Sequence, residues 1–139
     1  MFFKKQRENS EKEYKKKNYL MSETEWEFFG CLNKLLSPFG YVVQPQVSLV
    51  SVIEKLKLFA PYRDELTGIV DFCVFDDDYH PLLLIVVDEE NCNGLPGGKS
   101  FEKIQNIAEE AGIPLVTFWT NYGANETYIK ERLKDYLCI

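Results

Sequence analysis

The residue with the clearest chemical potential is Asp71, which lies between Val70 and Phe72 in the apolar run Ile69–Phe75 (IVDFCVF). A carboxylate inside a buried strand is costly unless it is paired or binds a metal, and such groups are candidates for functional sites. The alternative is a strand-end Asp that reaches solvent or caps a neighbouring backbone group. A second carboxylate, Asp88, closes the next apolar run, Leu82–Val87. Side chains alternate along a strand, so Asp71 is expected to share a face with Cys73 and Phe75, and Asp88 with Leu82, Leu84 and Val86. The single histidine, His80, falls with Asp76, Asp77 and Asp78 in the polar link between the two runs. It reads as a turn residue, and the three aspartates read as a solvated tip able to collect cations only weakly. The Gly97-Gly98-Lys99-Ser100 run is not a phosphate-binding loop, because the first glycine of that motif would fall at Asn93.

These residues need a scaffold, and the sequence supplies one. Ile69–Phe75 and Leu82–Val87 are β-branched, aromatic and of strand length, so they form a hairpin. Strands this apolar are buried on both faces and belong in the middle of a sheet. Upstream, Ser22 and Glu25 have the spacing of a capping box, opening a helix to about Leu36. Trp26, Phe28, Phe29, Leu32, Leu35 and Leu36 give that helix a broad apolar face assigned to the core. Ser37-Pro38 and Gly40 end it. Tyr41–Val47 reads as a strand, with Pro45 marking an edge or a bulge. Ser48–Phe59 is ambiguous and keeps some helical rhythm. Ala60–Thr67 and Asn91–Lys99 read as loops. Ser100 is expected to cap a helix over Phe101–Ala111, closed by Gly112. Pro114–Trp119 follows as a strand. Asn125 then caps a last helix to about Leu137, with Tyr128, Ile129, Leu133, Tyr136 and Leu137 inside. The step from Leu82–Val87 through a helix to Pro114–Trp119 is a βαβ crossover, so an α/β fold with a mixed sheet is expected.

A chain of 139 residues with 45% hydrophobic and 27% charged residues fits one soluble globular domain. No apolar run approaches the roughly 20 residues of a membrane span, and Met1-Phe2-Phe3 is too short for a signal-peptide core. Cys31, Cys73, Cys92 and Cys138 show neither CxxC nor zinc spacing, which with the lack of an export signal points to a reducing, cytoplasmic setting. The net charge of −6 hides an asymmetry: residues 1–17 carry seven basic and three acidic residues, leaving the remainder at −10. The expected organisation is a basic leader over residues 1–20, solvated and partly helical, on an acidic domain over 21–139. The leader is a candidate arm for nucleic-acid phosphates or an anionic membrane surface. The acidic body does not suit non-specific binding to duplex DNA.

Several segments, in order, also resemble a known family. Met21-Ser22, Glu25 and Phe28 resemble an "LS-x-x-E-x-x-F" helix start, and Pro45–Leu49 a "PQV-x-L" strand end. Ile69–Val74 is similar to "vDFvv". Pro81 with the run to Val87-Asp88 resembles "P…vIElD", and Ala111–Leu115 matches "AGIPL". This pattern resembles the bacterial domains of unknown function 2726, within the restriction-endonuclease-like, or PD-(D/E)XK, superfamily and similar to very-short-patch-repair nucleases. The resemblance implies a three-layer α/β/α fold with a mixed central sheet. In such nucleases the strand Asp, the Glu of the next strand and a nearby carbonyl hold Mg²⁺, which activates water and steadies the scissile phosphate. Carried over, the strand Asp is Asp71 and the first-helix Glu is Glu25, which the capping box also explains. Asp88 follows the Glu-x step, but the Glu itself falls at Val86, and valine cannot bind a metal. The resemblance thus implies Asp71, Asp88 and Glu25 as catalytic residues. Asp71, Asp88 and Glu90 would hold Mg²⁺ if the strand end bulged so that Glu89 or Glu90 stood in for the missing ligand. The preferred expectation is a degenerate nuclease-fold domain acting in binding or scaffolding, on nucleic acid or an unidentified protein partner. An active Mg²⁺-dependent nuclease and a purely protein-binding domain are the alternatives.

Overall fold

The computed structural model describes residues 12–56, 66, 68–89 and 98–139. Glu90, Cys92, most of the loop expected over 60–67 and the first eleven residues of the basic leader lie outside them. Residues 12–22 contain no helix or strand, and Lys12, Lys15, Lys16 and Lys17 are exposed.

Helix α1 spans Glu23–Leu36. It starts where the sequence requires: the Ser22 side chain accepts the Glu25 backbone N–H at 3.2 Å, satisfying one of the free donors of the first turn. It stops at a 3₁₀ turn over Ser37–Phe39, where Gly40 takes the left-handed φ of 83° that reverses the chain. Strand β1 (Val42–Ser48) follows and runs directly into a 3₁₀ turn at Leu49–Ser51, which takes the first part of the ambiguous segment. Strands β2 (Ile69–Phe75) and β3 (Pro81–Asp88) form the expected hairpin. Its turn is tied by Asp76, whose Oδ1 accepts the backbone N–H groups of Asp78 and His80, each at 2.9 Å, while Oδ2 meets His80 Nδ1 at 2.9 Å. The hydrogen bond from the His80 backbone is the main influence holding the Asp76 carboxyl below its ordinary range.

Helix α2 spans Gly98–Ala111, so it begins two residues before Ser100, which is in the first turn rather than at the cap. Gly112, at φ 80°, closes it as expected. Strand β4 is Leu115–Trp119, and helix α3, Glu126–Leu133, opens on the Asn125 side chain, which accepts the Tyr128 N–H at 3.1 Å. Helix α3 is shorter than expected; turns carry the chain on to Leu137, and Tyr136 is exposed rather than internal.

The sheet order is β1-β2-β3-β4, antiparallel except for the parallel β3–β4 pair. The hairpin strands are therefore central, as their two-sided burial required, and Pro45 lies in an edge strand. Phe28, Leu32 and Leu36 of α1 and Ile129 and Leu133 of α3 pack with Val43, Phe72, Val74, Leu83, Ile85, Val116 and Phe118. Ala108 of α2, flanked by Ile104 and Ile107, packs with Val47, Val70, Cys73 and Leu84. The core is thus divided between two sides of one mixed sheet. Burial pushes the Cys73 thiol up to about 12, so it is an inert core residue.

The caps and the core predict losses of different size. Ser22→Ala and Asn125→Ala should each lower the stability by about 1 kcal/mol. Phe72→Ala, at the fully buried contact between sheet and α1, should lower it by about 3–5 kcal/mol. Urea unfolding of the three variants measures this order; a Phe72→Ala loss no larger than the cap losses would contradict the core assignment.

Candidate functional site

Asp71 lies in the middle of β2, where the sheet loses its regularity. The β1–β2 register runs without shift from Val42↔Phe75 to Ser48↔Ile69, yet the rung between Pro45↔Phe72 and Val47↔Val70 is unpaired. That rung belongs to Gln46 and Asp71. Gln46 has φ 54°, a left-handed conformation that a residue with a Cβ seldom adopts. The alternation changes at the same place in both strands. Val43, Phe72 and Val74 pack on the α1 side, whereas Val47 and Val70, which strict alternation would put with them, pack on the α2 side.

On the other flank of β2, the backbone pairing with β3 ends at Phe72↔Ile85, although β3 remains paired with β4 as far as Asp88↔Trp119. The Asp71 carboxylate takes over beyond that point: Oδ2 accepts the Val87 N–H at 2.7 Å. Asp71 therefore turns toward the neighbouring strand instead of standing off the sheet with Cys73 and Phe75. Of the two readings its sequence left open, the cap on a neighbouring backbone group is present.

Glu25 reaches the same region from the first turn of α1. Its Oε2 accepts a hydrogen bond from Gln46 Nε2 at 2.8 Å, part-buried. This contact replaces the reciprocal half of the capping box, because a part-buried carboxylate gains more from the Gln46 amide than from returning to the exposed Ser22 backbone. Asp88, half-buried at the end of β3, accepts the Glu89 N–H on Oδ1 at 2.8 Å.

The structure thus brings Asp71, Glu25 and Asp88 into one electrostatic neighbourhood. Burial raises the Asp71 carboxyl to about 6; the Val87 N–H pulls it back down, and the like charges of Glu25 and then Asp88 push it further up. Desolvation and crowding together outweigh a short charge-assisted hydrogen bond. Val86 is half-buried and packs with the α2 side of the core, so the position where the resemblance expects a metal-binding Glu is filled by apolar contact. Glu90 lies outside the described residues. Among the described residues, no group of three His, Cys, Asp or Glu side chains is placed to hold a metal ion. The described side chains alone therefore do not make up the Mg²⁺ centre that the resemblance implies, whose third ligand, Glu90, is outside them. His80 is in the hairpin turn at the opposite end of the strands from Asp88, with its ring on Asp76.

Gln46 is the site residue that the sequence did not single out. The signal available was a Gln between Pro45 and Val47 in a strand whose proline already indicated irregularity, but nothing local paired it with Glu25, 21 positions away.

The raised carboxyl makes a signed prediction. Below about pH 3.8 Asp71 is protonated folded or unfolded and contributes no pH dependence. As the pH rises from there to about 6 the unfolded chain releases its proton first, so the folded state loses stability, and the penalty is complete above about 6. Asp71→Asn, which keeps an oxygen for Val87, should stabilise the chelator-treated protein at pH 8 by about 1–2 kcal/mol, a figure reduced from the full shift because the group is partly exposed. The gain should vanish near pH 4. Denaturant titrations at the two pH values test it, and an equal effect at both would contradict the desolvated carboxylate.

No curated protein and no solved structure matches the chain. A family model does match, over residues 17–137, and this span includes both strands of the irregular rung, the hairpin and the helices α1, α2 and α3. The chain belongs to the family described as protein of unknown function (DUF2726).

Proposed function

We propose that this chain is a three-layer, restriction-endonuclease-like domain whose metal site has degenerated and which binds without cleaving. Val86 carries the reading. A carboxylate in its place would add a third negative charge beside Asp71, while the valine joins the apolar contacts toward α2. The remaining carboxylates are occupied within the protein: Asp71 by the Val87 N–H and Glu25 by Gln46. The proposed ligand is nucleic acid, met by the exposed lysines of the leader, since the body itself is acidic.

A second reading has one observation in its favour. Like charges from Glu25 and Asp88 acting on a half-buried Asp71 are a crowding that a divalent cation would relieve. An active Mg²⁺-dependent nuclease would use Asp71 and Asp88 with a carboxylate from the following segment.

Thermal unfolding with and without Mg²⁺ or Mn²⁺ separates the two. With a degenerate site, neither the wild type nor Asp71→Asn changes its Tm on adding the ion. A rise confined to the wild type, by mass action on a folded-state site, would favour the nuclease. Binding to a single-stranded oligonucleotide at low salt tests the ligand. Deleting residues 1–17 should weaken it by about tenfold or more and flatten its salt dependence. Affinity unchanged by the deletion would remove the leader from the interface, and no binding at low salt would favour a domain that recognises only proteins.

A further inference from the structure

The exposed stripe of α1 has three features that contacts among the described residues do not require. The first is Trp26, assigned to the core by its spacing but 63% exposed. Its inner side rests on Phe29, with ring centroids 5.9 Å apart, and Phe29 stacks on Phe72 at 5.9 Å and 5°. The indole is therefore buttressed from beneath while its outer face is open. The second is Gly30, one turn further along. Glycine is among the poorest helix formers, and a helix-interior glycine usually marks a close approach of another group. Among the described residues nothing stands within 4 Å of where a Cβ would be, so no contact among them demands it. The third is Lys34, one more turn along, whose side chain is 71% exposed and meets Glu126 only at 3.4 Å. A surface pair of this kind holds its partners weakly.

The spacing of these residues is self-complementary. Trp26 and Lys34 lie four positions before and four after Gly30 on the same exposed stripe. When two such helices cross antiparallel with Gly30 against Gly30, each Trp26 meets the other copy's Lys34. The missing side chains let the helix axes approach at the short end of the usual range, and the open indole face accepts the ammonium as a cation–π contact. Glu23 and Glu27 on the same stripe disfavour a phosphate-bearing ligand and add to the attraction for the incoming lysine. We infer that this face of α1 is a docking surface for a second copy of the chain, in an antiparallel pair centred on Gly30 with Trp26 and Lys34 exchanged across it. The inference does not rest on the function proposed above.

One helix pair is a small interface, and the association is correspondingly weak and concentration-dependent, with a dissociation constant between about 10 µM and about 1 mM. Sedimentation velocity of the full chain across that range tests it. The wild type should shift from monomer to dimer. Gly30→Arg should abolish the shift, and Gly30→Ala should weaken it while raising the Tm, since the position has room for a side chain. Trp26→Ala and Lys34→Glu should each weaken the dimer at least tenfold, whereas Lys34→Arg should keep it. A wild type that remains monomeric throughout overturns the inference, as does a dimer insensitive to Gly30→Arg and Trp26→Ala. A monomer that instead binds a free peptide of residues 12–20 through Trp26 would overturn the second copy as occupant and assign the face to a basic segment.

Discussion

The hydrogen bond from the Val87 N–H to the Asp71 carboxylate joins β2 and β3 beyond the point where their own ladder has ended. A buried backbone donor left without a partner costs about 1–3 kcal/mol, and a partly desolvated carboxylate is itself unfavourable. Each of these groups answers the need of the other. β3 can then continue alongside β4 to Asp88↔Trp119 while it parts from β2, and the parting gives the carboxylate its place in the middle of the sheet. The same bond explains why Asp71 is only partly relieved of its burial. One donor lowers its carboxyl, but the loss of water and two neighbouring carboxylates raise it more, to about 6.

Val86 is consistent with that balance. Three carboxylates around Asp71 would need a compensating cation or another proton, whereas an apolar side chain needs neither and contributes about 1–2 kcal/mol when buried. The site is thus stable as a protein structure in its own right. Glu25 is taken up by Gln46, Asp71 by Val87, and the third position by the core.

Much of this architecture was legible because it depends on local pattern. The hairpin follows from two apolar runs and an Asp-rich link, the parallel crossover from strand, helix and strand in order, and the α1 and α3 caps from Ser22 and Asn125. Illegible features depend on tertiary contact. The apolar stripe of α1 fixes which side faces the sheet but not where the sheet ends, so Trp26, at the edge of the stripe, falls outside the core. Glu25 fits a capping box equally well whether or not its carboxylate returns to Ser22, and only the arrival of Gln46 decides the matter. The start of α2 at Gly98 was hidden because two adjacent glycines ordinarily read as loop. Asp71 is anomalous by its type and surroundings alone, while the direction of its side chain depends on a departure of β3 that no local signal marks.

The irregular rung connects these details. A bulge in one strand alone would shift the pairing that follows and send one strand's apolar residues to the wrong side of the sheet. Here Gln46 and Asp71 leave the alternation together, so the register on either side is the same, and Val47 and Val70 change sides as a pair to meet α2. The exchange keeps both valines buried and releases two polar side chains, one toward α1 and one toward β3. The left-handed backbone at Gln46 carries a strain of about 1 kcal/mol or more. In return, the Gln46 amide binds Glu25 and the valine pair is buried, so the cost at one residue is offset across two strands and a helix. A glycine at position 46 would relieve the strain but lose the amide, which leaves Glu25 without its partner in the same neighbourhood as Asp71. The polar pair in the middle of this sheet is therefore held by the packing around it, and the carboxylates are brought together as a consequence of how β1 and β2 change sides.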